Sequence, residues 1–198
     1  ANDGSSVVAV SAVSSKCNDN KAKQELLARG VDELFLVADD AMETADSYAT
    51  AQVLKGLVDA NAADYDLIIC GDGSADFYVN VQLAAALGVP TINAVTSITA
   101  EGDKVVVERT LDNEVEEIEV PLPAVISVSP EAAEPRIPGM RDILAAKKKP
   151  QAVTEGASVD AKVAIEDIKA PELAPRKMQI FEEGDIDAFA AAVAEAIK

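Results

Sequence analysis

A glycine-rich loop is the part of the sequence whose residue types and spacing best suit ligand binding. Residues 70–80 read Cys-Gly-Asp-Gly-Ser-Ala-Asp-Phe-Tyr-Val-Asn and join an apolar run to an apolar helical stretch that reaches Leu87. Glycines let the backbone turn sharply and approach a ligand closely, and the N–H groups that open the next helix favour an anion such as phosphate. The spacing matches neither a P-loop nor the full dinucleotide fingerprint, so a plain turn capped by Ser74 or Asp76 stays open as an alternative.

A second polar loop follows the first predicted strand, which ends at Val13. Residues 14–18 are Ser-Ser-Lys-Cys-Asn. Ligands of open parallel sheets bind beyond the carboxyl ends of the strands, and both loops hold that place in their βα units. The second loop is therefore a candidate to contact ribose or phosphate in the same crevice. The alternative is a polar turn in which Asn18 or Asp19 caps the next helix.

The composition excludes several kinds of chemistry. The 198 residues contain no His, which removes imidazole as a base, proton shuttle or metal ligand. The formal net charge of −18 disfavours nucleic acid and anionic membranes as partners. The two cysteines, Cys17 and Cys70, form no CxxC pair, and no apolar run approaches the ~18 residues of a membrane span. We expect a cytoplasmic protein.

The elements that position these loops alternate between short apolar runs and longer helical patterns. Helical spacing at 21–29 and 44–60, the latter with Thr44 as its expected N-cap, separates runs typical of strands covered on both faces. This βαβαβα order predicts an α/β fold with a doubly wound, mostly parallel sheet of the Rossmann-like or adenine nucleotide α-hydrolase-like kind. The strands are expected at 7–13, 34–37 and 67–70.

The pattern changes after residue 95. Val and Glu alternate at 104–109 and 114–120, which predicts an antiparallel hairpin with one solvated face. A short apolar run at 124–128 is expected to re-enter the main sheet. We therefore predict that residues 1–130 form the α/β nucleotide-binding core.

Prolines interrupt the largely polar chain beyond residue 130 and limit it to short regular elements. Helices are expected at 140–148 and 185–197, the second with an apolar stripe. Such a chain has too few apolar residues for a core of its own and must lie against another surface to offset its ordering entropy. We predict that residues 131–198 form a C-terminal arm for subunit and partner contacts.

Four stretches of the sequence carry a family resemblance: the loop at 71–78, the hairpin and last core strand at 107–128, and the segments 134–138 and 143–150. With the Arg-Gly-Val-Asp-Glu sequence at 29–33 the similarity spans nearly the whole chain. Together these stretches resemble the β subunit of electron transfer flavoproteins, and within that family the FixA-like branch.

The resemblance implies an electron carrier that works as a heterodimer with an α subunit holding most of an FAD. Electrons would pass between an acyl-CoA dehydrogenase-type or quinone-linked partner and an acceptor, and the chain would have no substrate of its own. The β chain would supply one wall of the flavin site and a nucleotide pocket. That pocket holds AMP in housekeeping members, or a second FAD that accepts hydride from NADH in electron-bifurcating ones.

The resemblance also assigns residues to the nucleotide pocket. In this sequence Val81 and Gln82 stand where the housekeeping pattern has Gln and Thr, which affects side-chain contacts but not backbone ones. The assigned residues are Gly71, Asp72, Gly73, Ser74, Asp76, Asn80 and Gln82, with Ser14, Ser15 and Cys17 from the facing loop.

The resemblance also predicts roles for Arg109 and Met140. Arg109 falls in the flavin-facing region, where a guanidinium would stabilise the anionic reduced or semiquinone flavin; the alternative is an ion pair with Glu108, Glu114 or Glu116. Met140 falls where the family places an exposed apolar anchor for partner dehydrogenases, and the alternative is packing under the arm.

Family members also open with a strand and a helical segment that contact the adenine, so we expect that a preceding part of the fold is missing here, with one pocket wall and a strand beside 7–13.

Two other functions stay open on the sequence. The first is a nucleotide-handling enzyme or sensor of related fold, such as an ATP-pyrophosphatase-like or stress-protein-like domain. That function predicts a phosphate-clamping Lys or an SGGxDS-type loop, and neither is present. The second is an acidic interaction module in which the glycine loop is only a turn.

Overall fold

The computed structural model describes residues 4–73, 78–157, 159–164, 166–167, 169–173, 175 and 178–197. The chain divides into two compact units, Ala1–Ile165 and Glu166–Lys198. The described elements of the first unit are, in chain order, β1 (Val8–Val13), α1 (Asn20–Ala28), β2 (Glu33–Ala38), α2 (Ser47–Asn61), β3 (Leu67–Gly71), α3 (Val79–Leu87), β4 (Thr91–Glu101), β5 (Lys104–Thr110), β6 (Val115–Pro121), β7 (Ala124–Val128), α4 (Met140–Ala146) and β8 (Gln151–Thr154).

One sheet has three parallel strands in the order β1-β2-β8. Helices α1 and α4 pack against each other beside it. Their contact buries Leu27, Ala28 and Ala146 together with Leu34 of β2. The strand β8 lies beyond residue 130, where the sequence analysis predicted no strand. Its four residues are exposed and show no apolar pattern, which explains why the prediction missed it.

The second sheet has five strands in the order β3-β7-β4-β5-β6. The strands β3, β7 and β4 are parallel, whereas β5 and β6 continue from β4 as an antiparallel meander. Helices α2 and α3 pack against each other, and Ile68 of β3 packs against the cluster formed by Ala51, Val79 and Leu83. The larger apolar core lies around β7, where Ala124, Val125 and Ile126 are fully buried.

The α/β class and the mostly parallel strands are confirmed. The predicted hairpin and the strand at 124–128 are present, and the latter is β7 at an interior position of its sheet. The prediction that Thr44 caps the second helix is wrong. Asp46 is the N-cap, because its carboxylate accepts the Ala49 N–H at 2.8 Å, whereas Thr44 ends a short 3₁₀ turn.

The second unit contains one described helix, α5 (Ile186–Ala196), as the apolar stripe predicted. Phe181 lies edge-on to Phe189, with ring centroids 5.6 Å apart. The prediction that the chain beyond residue 130 serves subunit and partner contacts stays a prediction. Within the described residues of the whole chain, no helix combines the length and apolarity needed to cross a membrane.

Candidate functional site

The start of α3 is the most unusual backbone feature near the glycine-rich loop. Its N-cap residue, Tyr78, has left-handed φ and ψ angles of 63° and 43° and gives no side-chain cap, and the first turn carries no acidic residue. Left-handed backbone is uncommon for an aromatic residue. By contrast, Asp19 and Asp46 cap α1 and α2 with their carboxylates. The positive end of the α3 dipole is therefore not neutralised by its N-cap residue.

Gly73 and Asn80 bring the end of the loop against the first turn of α3. The Tyr78 N–H donates to the Gly73 carbonyl at 2.7 Å, and a Cβ added to Gly73 would collide with Asn80 Oδ1. Asn80 is 2% exposed, and its Nδ2 donates to Asn93 Oδ1 at 2.6 Å, while its Oδ1 has no hydrogen-bond partner among the residues that the structure describes. Only glycine fits at position 73 with Asn80 so placed.

A bulge in β4 positions Asn93, the hydrogen-bond partner of Asn80. Between Ile92 and Val95 the register of β4 against β7 shifts, and Ala94 has a positive φ of 56°. The Ala94 N–H donates to the buried Ser127 Oγ at 3.1 Å. The bulge lies next to Asn93, the partner of Asn80. Sequence reasoning missed Asn93, and a lone Asn in a Thr- and Ala-rich run gave no signal for it.

A cleft of about 640 Å³ lies beside Gly71 and Asp72. Most of its wall is apolar and comes from Ile69, Ile98 and Val128, with the segment 129–135 completing it. Pockets of this volume hold nucleotide-sized ligands. A Cβ added to Gly71 would meet no atom within 4 Å, so the backbone there is open to close approach.

The loop after β1 is engaged by acidic side chains from the loop after β2. Ser14 Oγ donates to Glu43 Oε1 at 2.9 Å, and Ser15 Oγ donates to Asp40. Lys16 Nζ lies 2.7 Å from Glu43 Oε1. The hydrogen bond from Lys16 is the main reason that the pKa of Glu43 lies below its ordinary value, with the Ser14 hydrogen bond adding to it.

The same contact with Glu43 raises the pKa of Lys16. Cys17 is exposed, and Asp19 caps α1 through the Ala22 N–H at 2.8 Å, as the polar-turn alternative expected. Ser14, Ser15 and Cys17 are not among the described residues that line the cleft beside Gly71. The structure thus brings Gly71 and Asp72 to the cleft and gives the hydroxyls of Ser14 and Ser15 other partners.

Arg109 pairs across the hairpin with Glu116. The two residues lie directly opposite in the β5–β6 register, and Arg109 Nε lies 2.5 Å from Glu116 Oε2. Their side chains are 31% and 33% exposed. The ion-pair alternative is therefore realised with one of the three glutamates considered, and the guanidinium keeps an exposed edge.

Met140 opens α4 and is 78% exposed. Ile137 and Leu144 are also exposed nearby in sequence. Asp142 orders this helix start by accepting the Gly139 N–H at 2.9 Å and pairing with Arg136 at 3.1 Å. The exposed apolar side chains therefore stand on an ordered turn.

Of the remaining predicted pocket residues, Gln82 lies in the first turn of α3, where its N–H donates to the Tyr78 carbonyl at 3.3 Å. Ser74 and Asp76 lie outside the residues that the structure describes.

A family model described as "Electron transfer flavoprotein domain" matches residues 1–173. The match includes both loops, the hairpin and α4.

Proposed function

The chain belongs to the electron transfer flavoprotein domain family, and from this premise we propose that it is a β subunit of the FixA-like branch. In that function it pairs in the cytoplasm with an α subunit that holds FAD. It carries electrons between acyl-CoA dehydrogenase-type or quinone-linked partners and an acceptor. It also binds AMP or a second FAD at the loop after β3. The second FAD would bring NADH-dependent electron bifurcation with it.

The observation that carries the nucleotide proposal is the start of α3. A helix N-terminus stabilises an anion, and here the N-cap residue contributes no side-chain oxygen. Gly71 leaves the adjacent backbone open, and the neighbouring apolar cleft of about 640 Å³ suits an aromatic base. The residues present therefore fit an adenylate group, which Gly71, Asp72 and the first-turn amides of α3 would hold.

For the shared flavin, this chain offers Arg109 from the hairpin. Bound FAD would supply reversible one- and two-electron chemistry. A guanidinium beside it would favour its anionic forms, although Glu116 offsets part of that charge. The loop at 14–18 has its own cation, Lys16, but Lys16 is paired with Glu43. Ser14 and Ser15 of that loop are engaged by Glu43 and Asp40.

Nucleotide extraction from the complete heterodimer tests the central proposal. The chain is co-purified with its α partner, the complex is denatured, and the released nucleotides are separated and quantified. FAD together with AMP would support simple electron transfer, and two FAD molecules per heterodimer would support bifurcation. A yellow heterodimer that releases FAD but no second nucleotide would contradict the proposed pocket.

We propose Met140 as the contact for the dehydrogenase, since an exposed flexible apolar side chain on an ordered turn suits a transient partner. Met140→Glu should slow electron exchange about tenfold or more while leaving the flavin content unchanged. Val163→Glu places the same charge at another exposed apolar position of this chain, 64% exposed, and serves as the control. Equal exchange rates in the Met140 variant and the wild type would contradict the docking assignment.

A further inference from the structure

The bulge in β4 places an extra residue beside the start of α3. Between Ile92 and Val95 the pairing of β4 with β7 advances by three residues on β4 and by two on β7. Asn93 and Ala94 therefore lie opposite a single residue of β7, Ser127. Because of the extra residue, Ile92 and Val95 pack into the same apolar cluster although they are three residues apart. Bulges of this kind re-aim a side chain and are frequent next to functional sites.

The bulge is strained, and a buried hydroxyl holds it in place. Ala94 has a positive φ of 56°, which is uncommon for a residue other than glycine. Its N–H donates to Ser127 Oγ at 3.1 Å, and Ser127 is fully buried. Strained backbone persists where the surrounding structure holds it, and it is enriched at functional sites. The neighbour of the strained residue, Asn93, makes the contact that links β4 to α3.

That contact fixes the direction of the Asn80 side chain. Asn80 Nδ2 donates to Asn93 Oδ1 at 2.6 Å, and Asn80 is 2% exposed. A side-chain amide has one donor end and one acceptor end, so binding the donor end determines where the acceptor oxygen lies. The oxygen, Asn80 Oδ1, lies against Gly73, where an added Cβ would collide with it. Asn93 therefore determines which atom of Asn80 meets the glycine-rich loop.

Gly73 is required by this contact and not by its own backbone angles. It is not among the glycines with a positive φ, so its conformation is open to other residues. Its carbonyl accepts the Tyr78 N–H at 2.7 Å, and an added Cβ would lie 3.3 Å from Tyr78 Cα. The carbonyl of Gly73 is thus held by Tyr78, and its open side is occupied by Asn80.

We propose that Asn93 is a positioning residue for nucleotide binding. By holding Asn80 against Gly73, it fixes the end of the glycine-rich loop at the start of α3 and so pre-organises the backbone that an adenylate group approaches. Asn93 acts through Asn80 and needs no contact with the ligand. The role in binding rests on the proposed function, whereas the contact between Asn93, Asn80 and Gly73 does not.

A double-mutant cycle on the unfolding equilibrium of the nucleotide-free chain tests that contact. Gly73→Ala should lower the ratio of folded to unfolded chain about tenfold, because Asn93 keeps Asn80 in the way of the new Cβ. In the Asn93→Ala background Asn80 is released, and the same change should lower the ratio only about twofold. Asn93→Asp keeps the acceptor oxygen, so Gly73→Ala should again cost about tenfold.

Thr91→Ala is the matched control for the cycle. Thr91 lies two residues earlier in β4, and its Oγ1 has no hydrogen-bond partner in the described part of the chain. In this background Gly73→Ala should keep its full effect. Additive effects of Gly73→Ala and Asn93→Ala would overturn the proposal. Equal relief in the Asn93→Ala and Asn93→Asp backgrounds would also overturn it, because the acceptor oxygen would then play no part.

Nucleotide titration of the heterodimer tests the role in binding. The complex is freed of its second nucleotide and titrated with AMP and with FAD. Asn93→Ala should weaken binding of the nucleotide that the wild type takes by about tenfold, and Thr91→Ala should leave it unchanged. Equal affinities of Asn93→Ala and the wild type would overturn the positioning role alone. A wild-type complex that binds neither nucleotide would contradict the proposed function, and the unfolding cycle would still decide whether Asn93 holds Asn80.

Discussion

Helices α2 and α3 lie side by side and begin in opposite ways. At the start of α2, Asp46 accepts the Ala49 N–H through Oδ1 at 2.8 Å and the N–H groups of Lys162 and Val163 through Oδ2 at 2.6 and 2.8 Å. At the start of α3, the N-cap Tyr78 has a left-handed backbone and no side-chain cap. The first helix start is neutralised by its own chain, whereas the N-cap residue of the second contributes no side-chain oxygen, and we propose that a nucleotide binds there.

The comparison sets a helix start that the chain itself stabilises against one at which we propose a nucleotide binds. The Asp46 carboxylate accepts hydrogen bonds from the first turn of α2 and from a segment 116 residues later. The start of α2 therefore anchors that segment to the first unit. The α3 start has a glycine at position 73, a left-handed backbone at Tyr78 and a buried Asn80 Oδ1 without a partner in the described part of the chain. Such features cost folding free energy, and we propose that a bound nucleotide compensates for this cost.

The largest effect is expected from Gly73→Val in the heterodimer. The added side chain would collide with Asn80 Oδ1 and come close to Tyr78 Cα, so the turn before α3 must shift at a cost of about 1–3 kcal/mol. The second nucleotide should be lost from the purified complex, as nucleotide extraction would show.

Gly71→Ala is the matched fold control, because its Cβ meets no atom within 4 Å. It should keep the thermal unfolding temperature within about 2 °C of the wild type. Full retention of the second nucleotide by Gly73→Val would show that the start of α3 is only a turn and would remove the contrast with α2.

A smaller effect is expected from Asp46→Ala at the start of α2. Loss of the cap and of the two contacts to residues 162 and 163 should lower the unfolding temperature by about 2–6 °C. Trypsin should also cleave after Lys162 several times faster. Asp19→Ala removes a cap of the same kind from α1 but no contact to that segment. If both variants accelerate this cleavage equally, Asp46 does not hold the segment.

The sequence was sufficient for the elements with strong periodicity and insufficient for the contacts between them. The hairpin and β7 were predictable because Val and Glu alternate in one and apolar residues run continuously in the other. No strand was predicted where β4 lies, since its Thr- and Ala-rich sequence and its bulge at Asn93 and Ala94 break the alternation. β8 was missed because it is short and exposed.

At the candidate site too, local sequence patterns were predictable and contacts between elements were not. The glycine-rich loop could be recognised, but the contact of Gly73 with Asn80, and of Asn80 with Asn93, depends on how α3 meets β4. Three glutamates were available to Arg109, and only the register of β5 against β6 selects Glu116. Thr44 and Asp46 both had cap chemistry, and the 3₁₀ turn that ends at Thr44 decides in favour of Asp46. Pairwise geometry of this kind is not encoded in local pattern.

A pH experiment sharpens the contrast at α2. Hydrogen bonds, first that from the Ala49 N–H, hold the pKa of Asp46 below its ordinary value of 3.8. A carboxyl with a lowered pKa in the folded state adds stability above its unfolded pKa and loses it as the pH falls through the folded pKa. The unfolding temperature of the wild type should therefore exceed that of Asp46→Asn most above pH of about 5, with the gap closing below pH of about 4.

Asp39 titrates in the same direction, because the Ala41 and Ala157 N–H groups lower its pKa, and it remains in both proteins. The difference between the two unfolding curves therefore reports Asp46 alone. A gap that stays constant from pH 7 to pH 3, against the ordinary value of 3.8 for the free carboxyl, would mean that the charge of Asp46 does not matter at this helix start.

The smallest effect, with opposite signs at the two helix starts, is expected from replacing one tyrosine at each. Tyr78 is left-handed and 52% exposed, whereas Tyr48 lies in the first turn of α2 beneath Lys162, whose Nζ is 5.5 Å from its ring centroid. Asparagine tolerates left-handed backbone better than tyrosine, so Tyr78→Asn should raise the free energy of unfolding by roughly 0.5 kcal/mol. Tyr48→Asn loses the contact with Lys162 and should lower the free energy of unfolding by a similar amount. Chemical denaturation of the two variants measures both changes, and a loss of stability in Tyr78→Asn equal to that in Tyr48→Asn would show that the start of α3 carries no backbone strain.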